Sequence, residues 1–126
     1  MGRILASVTI ASVLDASKSL RCDALVDIHE PFMVLPATWK HRFGEFDATR
    51  TIELEAANRR IMNAEVCGPV RIQIDGFRAI HTEVAFVGVK PEVGEFEPLL
   101  GNIILAQSQA DVAGDRLVPI KHMDLK

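Results

Sequence analysis

Asp27, His29 and Glu30 stand together in Ala24-Leu25-Val26-Asp27-Ile28-His29-Glu30-Pro31-Phe32-Met33-Val34-Leu35-Pro36, a stretch that is apolar at both ends. A strand that only filled a core would not carry these ionisable groups in its middle. A carboxylate at a strand end can act as a general base, or as an acid when protonated. Asp, His and Glu are also metal ligands, and Asp27 and His29 share a face if the segment stays extended. Two copies about an axis would then bring four ligands together. That spacing is common by chance, however, and His41, His81 and His122 are scattered as surface or packing residues. No metal and no cofactor are expected. His29 and Glu30 read, residue by residue, as solvated loop positions or ion-pair partners.

The rest of the chain must position Asp27. Its 126 residues, 48% apolar and 25% charged, predict one globular domain over 1–126 with a real core. A formal charge of −3 with dispersed basic residues argues against nucleic acid, which needs a basic face. The absence of Tyr and a lone Trp leave few platforms for base stacking. No apolar run approaches the roughly 20 residues of a membrane-spanning helix. Near the start, Ile4, Ala6, Val8 and Ile10 alternate with Leu5, Ser7, Thr9 and Ala11, which predicts a strand rather than a leader. Cys22 and Cys67 lack any CxxC spacing and read as buried free thiols in a reducing cytoplasm.

Short strands with turn signals dominate. Extended runs are predicted over 20–26 and 33–35, the latter stopped by Pro36; a short helix over 37–43 should end at Gly44. Residues 51–55 and 61–66 make a hairpin around Asn58, with Arg59-Arg60 as its solvated tip. Val70 to Ile80 reads as a second hairpin through a type I′ turn at Asp75-Gly76, its return strand continuing to Val89. Asn102 should cap a helix from Ile103 to about Ala110, and 117–120 is a last strand. Trp39 is expected at the core margin, and Met33 and Met62 as gap-fillers within it. The fold class is all-β, a barrel or sandwich.

Leu25-Val26-Asp27, then Val34-Leu35-Pro36, then a mobile hairpin, and finally Leu99-Leu100-Gly101-Asn102 leading into a helix occur in that order. In this the chain resembles the retropepsin-like aspartic peptidases, in particular small bacterial members similar to the retroviral enzymes, over nearly its whole length. The resemblance implies an acid-protease barrel with a flap hairpin at 51–66 and one short helix near the C-terminus. It implies Asp27 as the catalytic residue. Because one chain carries one such loop, it also implies a homodimer acting on an extended peptide or unfolded protein segment. Ile28, His29, Glu30, Asn58, Arg59, Leu100 and Gly101 would then lie at the substrate, with 99–101 packed beside the catalytic loop.

The loop itself departs from the family's Asp-Thr/Ser-Gly-Ala/Ser pattern, reading Asp27-Ile28-His29-Glu30. Ile28 lacks the hydroxyl that links paired loops in the family. His29 puts an imidazole where a missing side chain lets the backbone pass close, and it should push the loops apart or refold them. Glu30 brings a charge to a position for a small residue. Two functions are therefore open: an aspartic endopeptidase, or a peptide-binding module on the same fold without chemistry.

Overall fold

The computed structural model describes residues 3–55, 61–88 and 97–120. In chain order its elements are β1 (Leu5–Ser12), β2 (Ser19–Val26), β3 (Met33–Pro36), a 3-10 helix (Ala37–Phe43), β4 (Ala48–Glu55) and β5 (Ile61–Ile74). There follow β6 (Ile80–Val87), β7 (Leu99–Leu100), α1 (Asn102–Ser108), β8 (Ala110–Ala113) and β9 (Arg116–Pro119).

The large sheet runs β1-β2-β7-β3-β6-β5-β4, and a further pairing of β1 with β5 closes the first six of these strands into a barrel. Closure removes the sheet edges that would otherwise invite aggregation. β4 hangs outside the ring on β5 alone, and β8 with β9 form a separate two-stranded sheet. Pairing is antiparallel except for β2 with β7 and β3 with β6, where the chain returns in parallel. Those two parallel joints bracket the Asp27 loop.

Alternation accounts for the packing. Successive strand side chains point to opposite faces, so Met33 and Leu35 enter one cluster while Val34 enters another. The barrel core holds Val8, Ile10, Val70, Ile72, Phe86 and Leu100, with Ile104 of α1 closing one end. Phe43 at the end of the 3-10 helix plugs another opening, with ring centroids 6.1 Å from Phe46 and 5.9 Å from Phe86. The second cluster, Val34, Ala64, Val66, Ala85 and Val87, lies on the opposite face, where Ile52, Leu54 and Met62 of the β4–β5 hairpin cover it.

Several sequence expectations are revised. β5 begins before the expected second hairpin and runs through Pro69 as one strand, the register with β6 shifting between Cys67 and Val70 where proline supplies no donor. The turn after it is not type I′. Gly76 adopts φ 89, but Asp75 has no positive φ, and type I′ needs both. The Phe77 N–H bonds the Ile74 carbonyl at 2.9 Å, closing a turn with glycine at its third position. Gly101, not Asn102, occupies the N-cap of α1, and the helix stops at Ser108 because Gln109 turns left-handed at φ 58. Ala110 therefore belongs to β8, a strand that the helical pattern of 103–110 concealed.

Other expectations hold. Gly44 terminates the 3-10 helix at φ 73, and Trp39 packs at the core margin with the Arg42 guanidinium 5.9 Å from its ring centre. Met33 is fully buried, and Cys22 and Cys67 are both free. Cys22 is only half-buried, and burial foremost, then Asp23, pushes its thiol up to about 11. No described helix is long and apolar enough to cross a membrane.

Candidate functional site

Asp27 follows the last residue of β2, and its backbone N–H continues the parallel joint by donating to the Leu100 carbonyl at 3.0 Å. The chain then turns back at once. The Glu30 N–H reaches the Asp27 carbonyl at 3.2 Å, and the His29 N–H donates to Asp27 Oδ1 at 3.0 Å. This is the short-range bond by which an Asp side chain shapes a turn. The segment is therefore not extended, and Asp27 and His29 do not share a strand face as a metal site would need. Among the described residues no group of three His, Cys, Asp or Glu side chains is placed to hold a metal ion.

The start of α1 fixes the other side of the loop. The Asn102 N–H donates to the Glu30 carbonyl at 2.7 Å, the Ile103 N–H to the Pro31 carbonyl at 3.1 Å, and Asn102 Nδ2 to the Ile28 carbonyl at 2.9 Å. Gly101 is the residue that permits this approach. A Cβ there would meet the Phe32 carbonyl oxygen at 2.3 Å and that of Glu30 at 2.4 Å. Its φ of −88 is ordinary, so the demand is for space and not for conformational freedom.

Within the loop the side chains divide. Asp27 is half-buried, and Ile28 and His29 are exposed, Ile28 by 56%. The exposed His29 imidazole is therefore not packed into the core of the described chain. Glu30 overturns its expected role as a solvated or ion-paired residue: it is only 8% exposed, and its Oε1 finds no hydrogen-bond partner. Pro31 and Phe32 turn the chain inward into β3, which draws Glu30 beneath the loop. Burial raises the Glu30 pKa above the ordinary 4.5; the Phe32 N–H opposes this, and the Asp27 charge adds to it.

The structure thus brings Asp27, Ile28, His29 and Glu30 together with Leu100 and Gly101. Asn58 and Arg59 lie outside the described residues. Sequence reasoning gave no site role to Asn102, whose side chain holds the loop instead of capping the helix. It placed Leu99 beside the loop and Leu54 and Met62 in the flap hairpin, but did not name them, with Phe32, as substrate-binding residues, and these four form a half-buried apolar shelf on the second cluster. The alternation of Leu99 with Leu100 about a joint to the Asp27 loop was the available signal.

No family model and no curated protein sequence matches the chain. Among solved structures it is similar to a retroviral protease, that of EIAV complexed with the inhibitor HBY-793. The TM-score is 0.63 at 18% identity, covering 88% of this chain and 92% of that one. The architecture is a retropepsin-like all-β fold.

Proposed function

We propose that the chain is one retropepsin-like domain over 1–126 that supplies half of an aspartic endopeptidase site. The observation that carries this reading is Asp27, half-buried at the end of β2 and held by the Leu100–Asn102 joint, in a barrel of retroviral-protease fold. The partner is a second copy, because the described chain presents one such loop and the reaction needs two carboxylates. At about 3 Å two carboxyls share a single proton, since both cannot ionise. The ionised Asp27 takes a proton from water as the water oxygen attacks the peptide carbonyl carbon. The protonated Asp27 of the partner subunit hydrogen-bonds the carbonyl oxygen. The tetrahedral adduct then collapses, the C–N bond breaks, and the amine leaves with the proton.

The shelf of Phe32, Leu54, Met62 and Leu99 suits apolar side chains of an extended peptide under the β4–β5 hairpin. Ile28 and His29, both exposed, and Asn58 and Arg59, which follow β4 in the sequence, are the proposed substrate-facing positions, whereas the buried Glu30 is withdrawn from that set. Free thiols at Cys22 and Cys67 support a reducing compartment such as the cytoplasm.

A second reading, a peptide-binding module without chemistry, is favoured by Ile28-His29-Glu30 alone, since misplacing a catalytic group by about 1 Å can cost on the order of 10²-fold in rate. Incubation with an unfolded protein at mildly acid pH separates the two. Cleavage that Asp27→Asn abolishes supports the peptidase; unchanged cleavage in that variant removes Asp27 from the reaction. Saturable peptide binding without turnover supports the module, especially if Ile28→Thr, His29→Gly and Glu30→Ala together switch turnover on.

A further inference from the structure

Glu30 is the costliest group in the Asp27 loop. A neutral polar atom buried without a partner is costly, and a charged one far more so. Here the buried oxygen is Glu30 Oε1, while the Glu30 N–H is taken by the Asp27 carbonyl and the Glu30 carbonyl by the Asn102 N–H; the Phe32 N–H favours the ionised carboxylate but burial outweighs it. Among the described residues no cation bears on it. Asp27 is the charge that bears on Glu30, His29 on the same loop is exposed, and Gly101, Asn102, Ile103 and Phe32, which pack on the loop, are not ionisable.

We propose that Glu30 is a positioning residue for Asp27. With its carboxyl protonated it stays folded beneath the loop and holds Asp27 in place, and when it ionises it moves toward water and loosens the loop. Asp27 Oδ1 follows, because its bond to the His29 N–H exists only while the turn is closed. The site is thereby set to hold its geometry at low pH and relax at higher pH. The direction of linkage agrees. A raised folded-state pKa gives stability that is fully present below the ordinary 4.5 and is lost as pH climbs through the folded value.

This inference rests on the peptidase reading only for its catalytic consequence, so the test measures the loop as well as cleavage. The Glu30 carboxyl carbon is followed by NMR in the unaltered chain, together with the His29 amide proton, across about pH 3 to 8. The expected result is a Glu30 midpoint above 4.5, with the His29 amide moving at the same midpoint. An ordinary midpoint, or an amide that ignores it, overturns the proposal. Thermal unfolding of Glu30→Gln, which keeps the shape and removes the titration, should lose the fall in Tm with rising pH and gain about 4 °C or more near neutrality. Parallel curves for both proteins overturn it. If Glu30 behaves as expected and neither protein cleaves peptide, the peptidase reading fails and the switch stands. If cleavage occurs while the curves stay parallel, the switch fails and the peptidase reading stands.

Discussion

Gly101 and Asp27 share one constraint seen from two sides. The carboxylate is presented by a loop whose carbonyls crowd onto Gly101, leaving 2.3 Å and 2.4 Å for any added carbon. Backbone atoms on both sides cannot swing away as a side-chain tip would. Gly101→Ala should therefore destabilise the chain by about 3 kcal/mol or more, in the upper range for overpacking, read as a lower urea midpoint at unchanged slope. Asn102 offers a milder contrast. Losing its bond to the Ile28 carbonyl in Asn102→Ala should cost about 1 kcal/mol, yet it should sharpen hydrogen exchange at the His29 amide much more than at core strands. Equal changes everywhere would mean that Asn102 serves the fold and not the loop.

Among the elements, those with strict alternation were legible in the sequence. β1, β2, β3 and the β4–β5 hairpin follow from apolar periodicity, and the 3-10 helix from Pro36 and Gly44 at its ends. Asp27 at a strand end and Leu100-Gly101 beside it were also readable, because short motifs carry local geometry. What remained hidden depends on contacts distant along the chain. β8 carries no strand signal of its own; it exists because Gln109 turns left-handed and the Ile120 N–H returns to the Gln109 carbonyl at 2.9 Å. Nor did the sequence signal that Arg78 crosses to the Gln107 carbonyl at 2.7 Å and ties the β5–β6 connection to α1. The burial of Glu30 follows from how its loop packs, with its carbonyl on the Asn102 N–H and the buried β3 beginning at Met33, not from any property of glutamate.

For the whole molecule, the decisive question is the second copy. Ile28, 56% exposed beside a half-buried carboxylate, is the apolar side chain that a twofold neighbour would cover. Sedimentation should give a concentration-dependent monomer–dimer equilibrium, and Ile28→Asp should shift its Kd upward at least tenfold, by placing like charges opposite each other, while leaving the monomer's unfolding free energy within about 0.5 kcal/mol. A single monomeric species at all concentrations would remove the shared site.

The fourteen-residue β5 has a mechanical meaning. Its first half carries β4 and its second half pairs with β1, so one uninterrupted backbone serves as both the spine of the outer ribbon and a stave of the barrel. A ribbon mounted on such a spine cannot peel off as an independent unit. Bending must instead concentrate near Gly68-Pro69, where the ladder to β6 slips. The Ala64 and Val66 amides should therefore exchange as slowly as those of Val70 and Ile72, and protease nicking should begin in β4 before it touches its neighbour.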